Sequence, residues 1–248
     1  MTAMIMIGRS LRHSTRNVDS LLLSAALPVM LMLLFVYVFG GAIGTSRAEY
    51  VNYVVPGIIL LCTGYGASTT AVSVAHDMTS GAMDRFRTLP IRSTAVLTGH
   101  VVASLARNAF ATVLVIGVAV AAGFRSDAGL PRWLAVTGLL VLYVLAMSWA
   151  SVALGMLASS VEGASGFTFF ILFLPYLSSA FVPTDTMPAG LRAIADNQPV
   201  TPIIETVRGL LHGTPIGASG WLSLAWFGGI LIAGYLAATY LFHRRTAR

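Results

Sequence analysis

The chain has no lysine, one cysteine and only nine acidic side chains in 248 residues, and each scarcity removes a class of function. Without lysine there is no Walker A phosphate loop, no Schiff-base lysine and no lysine nucleophile. A lone Cys62 inside an apolar run excludes intrachain disulfides and thiolate metal clusters, and reads as a small core residue. The five histidines are scattered without metal-ligand spacing, and neither His-Glu-x-x-His nor Gly-x-Ser-x-Gly occurs. Asp77 and Asp84 stand seven residues apart, on one helical face but in a loop without a pocket, where salt bridging or docking is a better reading than acid–base chemistry. The chain is therefore expected to be no enzyme by itself, with no catalytic residue, no metal and no cofactor of its own.

Apolar sequence is abundant instead. Hydrophobic residues make up 56% of the chain and its mean hydropathy is +0.82. Several runs exceed the roughly 18–20 residues that cross ~30 Å of hydrocarbon at ~1.5 Å per residue. Six spans are expected, at about 20–44, 53–75, 95–123, 133–159, 164–183 and 221–242. The first run starts 20 residues in, carries Pro28, lacks a small-residue cleavage site and is followed by five more, so a cleaved signal peptide is not expected. In residues 1–19, Met4, Ile7, Leu11 and Val18 share a helical face opposite Arg9, Arg12, His13 and Arg16, the pattern of a helix lying along headgroups.

An even number of spans puts both termini on one side, and arginine selects it. Nine arginines (9, 12, 16, 85, 87, 92, 244, 245 and 248) fall in segments on the side of the termini, against five (47, 125, 132, 192 and 208) on the other. Both termini are thus expected in the cytoplasm. Tyr50, Tyr53, Trp133, Trp221 and Trp226 mark span edges, and Ala225, Gly229, Ala233 and Ala237 form a small-residue stripe that allows close helix approach.

Two segments between spans are unusual. Residues 76–92 gather five acidic and arginine charges between two apolar runs and read as a short helix ended at Pro90, a cytoplasmic surface built to be gripped. Residues 184–220 are external. Pro188 starts one short helix through Ala195, and Thr201-Pro202 is a cap-plus-first-residue pair for another running towards Gly213. Glu205 suits that helix's first turn, with Arg208 in pairing distance. Its apolar part, 203–211, is too short to cross and is expected to dip into or lie on the outer leaflet.

Inside the spans no central Asp or Glu occurs, which argues against a proton-coupled carrier. Arg107, about twelve residues into the third span, is expected to pair with backbone carbonyls or a neighbouring helix rather than with a transported anion, the alternative reading. Tyr65, Ser68, Thr69 and Thr70 on the second span, with Phe167, Phe169, Phe170, Phe173 and Tyr176 on the fifth, offer aromatic faces and hydroxyls. Such faces suit either a cavity for an amphipathic ligand or plain helix packing.

Three stretches resemble the ABC-2 type membrane subunits of bacterial ABC exporters, and within them the daunorubicin/doxorubicin-resistance permease group. Glu49-Tyr50-Val51-Asn52-Tyr53-Val54-Val55-Pro56-Gly57-Ile58 is similar to that family's Tyr-x-x-Phe-x-x-Pro-Gly entry to the second span. Asp77, Gly81, Asp84, Arg85 and Pro90 fit its acid–Gly–acid–basic–Pro loop, here with Asp where Glu is common and with no lysine. Ser178-Ser179-Ala180-Phe181-Val182-Pro183, Met187-Pro188 and Gln198-Pro199-Val200-Thr201-Pro202, leading to Glu205 and Arg208, are the most specific match.

The resemblance implies an all-α polytopic membrane protein, one transmembrane domain over 1–248. It comprises an interfacial helix (1–19), spans one to five (20–183), an external re-entrant region (184–220) and a last span with its tail (221–248). It further implies a multi-pass permease of the bacterial plasma membrane, exporting a hydrophobic or amphipathic drug, antibiotic or lipid-like molecule. A polysaccharide or glycolipid permease and a non-transporting scaffold are the alternatives. Asp77, Gly81, Asp84, Arg85, Phe86, Arg87, Leu89 and Pro90 would then be the coupling helix. It would dock on a separate ATP-binding subunit, present in two copies and carrying the ATP and Mg. A second membrane subunit, identical or not, would complete the exporter, with the bilayer as the surrounding partner and no nucleic acid. Tyr65, Ser68, Thr69, Phe169, Phe170, Phe173 and Tyr176 would be cavity candidates, and Pro188, Pro199, Pro202, Glu205 and Arg208 would belong to a lid over the exit.

Overall fold

The computed structural model describes residues 18–39, 46–80 and 93–246, whose regular secondary structure is all helical, with no strand among them. In chain order the α-helices are α1 (Val18–Leu34), α2 (Arg47–Thr79), α3 (Ser93–Ala121), α4 (Leu130–Leu157), α5 (Val161–Phe173), α6 (Ala189–Asn197), α7 (Val200–His212) and α8 (Ser219–Thr246). A π-helical turn, Phe35–Phe39, continues α1, and a 3-10 turn, Leu174–Leu177, continues α5. The N-terminal amphipathic pattern and residues 81–92 lie outside the described residues.

Local chemistry sets the helix ends. Ser46 opens α2 with a capping box. Its hydroxyl accepts from the Glu49 N–H at 3.3 Å, and the Glu49 carboxylate accepts from the Ser46 N–H at 3.1 Å. Pro131, which has no N–H to lose, stands in the first turn of α4 behind Gly129. The Ser160 hydroxyl caps α5 by accepting from the Gly163 N–H. Gly213, at φ +73°, ends α7 in the left-handed conformation that glycine adopts without a Cβ penalty.

Four helices are long and apolar enough to cross a membrane, over Ala48–Thr79, Val96–Ala121, Leu130–Leu157 and Ser219–Arg244. The first and fifth runs supply shorter apolar helices, Ala26–Val38 and Val161–Leu177. The fifth ends earlier than the 164–183 expected from hydropathy. Pro175 tightens the last turn to 3-10 geometry, and the backbone leaves the helix at Ser178.

Helix α4 is the hub, packed along α2 on one side and α8 on another. One core cluster joins Ile58, Leu61, Tyr143, Ile203, Val207 and Phe227 at the end of the bundle near α7. A second joins Val74, Leu97, Trp149, Val152, Met156 and Phe242 at the opposite end. The closest approach of α8 to α4 is made by Gly234, where an added Cβ would lie 2.8 Å from the Ala150 nitrogen. The stripe at Ala225, Gly229 and Ala233 is instead exposed, so close packing within the chain runs through Ser223, Phe227, Gly234 and Ala238.

Candidate functional site: the clamp around α7 and the base of the charged loop

Of the two short helices in 184–220, α6 is exposed except at Ala195, whereas α7 is packed into the bundle. In α7, Ile203, Ile204, Val207 and Leu211 are fully buried, because the apolar stripe at helical spacing faces α2, α4 and α8. The helix begins one residue before the expected cap, with Pro199 at the N-cap. Thr201 therefore stands inside the first turn, and its hydroxyl donates to the Ala195 carbonyl of α6 at 2.5 Å. Pro188 takes the N-cap of α6, and Pro202 is buried in the first turn of α7, where its missing N–H costs nothing.

Arg208 is the centre of this region. Its side chain is 12% exposed. Nη1 pairs with Glu205 Oε1 at 2.5 Å. Nε and Nη2 donate to the Tyr53 carbonyl at 3.2 and 3.1 Å, and Nη2 also donates to the Ser179 carbonyl at 2.8 Å. The guanidinium lies 3.9 Å above the Tyr53 ring, whose hydroxyl donates to the same Ser179 carbonyl at 3.0 Å. One planar fork thus joins α7, α2 and the turn after α5, a geometry that an ammonium does not reproduce. The turn is fixed from below as well. Gly57 meets Ala180 so closely that an added Cβ would lie 2.6 Å from its Cβ and 2.8 Å from its Cα.

Further bonds close the region. Gln198 Nε2 donates to the carbonyls of Leu174 (3.1 Å) and Leu177, His212 Nε2 lies 3.0 Å from the Asn52 carbonyl, and the Ser126 hydroxyl donates to the Leu211 carbonyl at 2.8 Å. The Glu205–Arg208 pair was legible at i, i+3. Tyr53, Ser179, Gln198 and His212 were not, since their roles are contacts between segments up to 160 residues apart. Tyr50, read as a span edge, is buried in the core, and Tyr53 is bound into the clamp.

At the other end of the bundle only Asp77 of the coupling-helix candidates falls among the described residues. Gly81, Asp84, Arg85, Phe86, Arg87, Leu89 and Pro90 lie outside them. Asp77 Oδ2 is 3.1 Å from His100 Nε2, so the last turn of α2 and the second turn of α3 are tied at the base of the charged loop.

Between these ends, Ser68 is fully buried, its hydroxyl donates to the Tyr65 carbonyl, and its own carbonyl accepts from Thr168 of α5 at 3.2 Å. Tyr65 and Thr69 are half-buried on the neighbouring face. Phe169, Phe170 and Phe173 are 58%, 75% and 48% exposed and point away from the chain's own core, with Phe173 and Tyr176 continuing to Phe181 as a ring ladder. Arg107 sits halfway along α3, partly buried, and makes no hydrogen bond or ion pair among the described residues, contrary to the expected pairing. Its neighbour Asn108 is buried and donates to the Ser104 carbonyl at 2.9 Å.

These features define a polytopic membrane protein whose polar groups fasten helices together. Comparison with known proteins gives the class a family. The sequence pattern of the ABC-2 type transporter family matches residues 2–212, and the chain belongs to that family. It is 33% identical over 189 residues to the daunorubicin resistance ABC transporter permease protein DrrB1 of Streptomyces coeruleorubidus, covering 76% of this chain and 67% of that one. It is 24% identical over 233 residues to the "Probable doxorubicin resistance ABC transporter permease protein DrrC" of Mycobacterium tuberculosis, covering 92% of this chain and 83% of that one.

Proposed function

We propose that the chain is the membrane-spanning subunit of an ATP-driven exporter of a hydrophobic or amphipathic small molecule. ATP is hydrolysed by a separate subunit that docks on the 76–92 loop. Family membership carries the reading, supported by the names of relatives that match most of the chain. The absence of lysine, and with it of a P-loop, fits the division of labour. In this reading the six apolar runs all cross the bacterial plasma membrane and both termini are cytoplasmic.

The geometry supplies a route for the force. Helix α2 has 33 residues, a rod of about 50 Å at ~1.5 Å per residue. Its Asp77 end is tied to α3 beside the docking loop, and its Tyr53 end carries the Arg208 clamp. Movement of the docked ATPases is delivered to α2 and α3 together and reaches the α6–α7 lid through Tyr53 and Ser179. The outward aromatic face of α5 (Phe169, Phe170, Phe173), with Tyr65 and Thr69 beside it, turns to a second membrane subunit, and the substrate passes between the two. Ser68, sealed beneath Thr168, supports that wall and leaves substrate contact to its neighbours.

The test is co-purification of an ATP-binding subunit with the tagged chain, in mild detergent, from a host that expresses the neighbouring genes. Near one-to-one recovery, lost when Asp84 and Arg85 are both replaced by alanine while membrane insertion is unchanged, is the expected result. Normal ATPase recovery and stimulation by the double variant would remove the docking assignment. A preparation without any ATPase would favour a scaffold.

A further inference from the structure

A groove of about 530 Å³ opens on the outer face of the bundle at the end that carries α7, between the first turns of α4 and of α8. That volume is within the ~300–1,000 Å³ of small-molecule sites. Gly138, Leu139 and Thr206 form its floor, and Gly217, Trp221 and Leu224 its walls. It exists because glycines stand at 138, 217 and 220, where side chains would fill it. The hydroxyls beneath it are already committed: Thr206 donates to the Pro202 carbonyl at 2.7 Å, Ser223 to the Ser219 carbonyl at 2.7 Å, and the two lie 3.1 Å apart. A mostly apolar groove whose hydroxyls are satisfied, walled by a 78%-exposed Trp221, takes hydrocarbon.

A cation stands at its mouth. Arg132 lies three and seven residues before Ala135 and Leu139, on the same face of α4 as those groove residues. Its Nη1 rests against Gly213, at the start of the turn whose Ile216 and Gly217 line the groove. Arg132 is exposed and has no hydrogen-bond or ion-pair partner among the described residues. It is the third residue of α4, the positive end of that helix's dipole, so helix stability does not call for a cation there. Arg132 therefore offers a guanidinium unpaired among the described residues at the start of an apolar helix, with an apolar slot running from it along that helix.

We propose that this groove is a phospholipid site: one acyl chain lies over Gly138 and Leu139 beside Trp221, and the phosphate of an anionic headgroup is held by Arg132. Phospholipid is the occupant because α4 and α8 are long and apolar enough to cross a membrane and carry exposed apolar faces beside the groove, and because cation and slot are ordered as headgroup and chain are. The site requires neither ATP nor the partner ATPase, so its failure would leave the transport reading intact.

The experiment is native mass spectrometry of the full chain in mild detergent, with phosphatidylglycerol and phosphatidylcholine added at equal concentration. The wild-type chain should retain one phosphatidylglycerol in preference to phosphatidylcholine. Arg132→Gln should lower phosphatidylglycerol retention about ten-fold, the size of one charge-assisted contact, and leave phosphatidylcholine unchanged. Gly138→Leu fills the slot from a position where an added Cβ meets nothing within 4 Å, so the fold is kept, and retention of both lipids should fall. Equal retention of the two lipids by the wild type, or retention indifferent to both substitutions, would overturn the proposal. So would a tight dimer that excludes lipid and dissociates on Gly138→Leu, which would give the groove to a second copy.

Discussion

Replacing Arg208 by alanine should release α7 from the bundle while leaving α4 in place. The substitution deletes donors to two backbone carbonyls, those of Tyr53 and Ser179, from a site where the guanidinium is 12% exposed. Hydrogen bonds from a charged donor are worth ~1.5–3 kcal/mol each, with the lower figure apt where a carbonyl keeps a second donor, as Ser179 does from Tyr53. The stacking over the Tyr53 ring adds ~0.5–2 kcal/mol. The Glu205 pair adds little, since that carboxylate side chain is 40% exposed and solvent screens it to ~0–1 kcal/mol. The contacts are not additive, and the loss should be on the order of 3–5 kcal/mol. Amide exchange reads this directly: protection of residues 200–212 should fall by roughly two to three and a half decades, with residues 139–156 unchanged. Arg208→Lys should recover only a small part, because one ammonium does not serve both carbonyls and the ring. Unchanged α7 protection in the alanine variant, or full recovery with lysine, would refute the assignment of the clamp.

Two further outcomes follow from close packing and burial. Gly57→Ala forces a methyl group into the backbone of Ala180 and should cost about 1–3 kcal/mol, seen as a lower midpoint of thermal unfolding in detergent. Gly229→Ala, where an added Cβ meets nothing, should leave that midpoint alone; equal behaviour of the two would contradict the packing described. Cys62 is buried at 1% exposure, so the folded chain should resist a membrane-permeant maleimide. In a Cys62→Ala background, cysteines at Arg192 and Arg244 should react with impermeant maleimide from opposite sides of the membrane. Labelling of both from one side would break the six-span topology.

The sequence determined what depends on composition and short spacing. The absence of lysine, the apolar runs, the Glu205–Arg208 spacing and the motifs shared with the ABC-2 family are all local, and they led to a helical membrane protein of that family. Hydropathy misplaced the end of the fifth run because Pro175 and the turn at Ser178 stop the helix while the sequence stays apolar. Thr201 looked like a cap because Thr-Pro is a good start signal, but its hydroxyl found the Ala195 carbonyl, and the helix began at Val200. The Ala-Gly stripe at 225–237 was visible by period, yet Gly234 makes the close approach, since which face of a helix meets a neighbour is set by the whole bundle. Only tertiary structure brought Tyr53, Ser179 and Arg208 to one carbonyl-lined point, joined Asp77 to His100, and opened a groove between α4 and α8. Each is a contact between side chains and backbone far apart in the chain, and the local physics of turns and periods carries no information about such meetings.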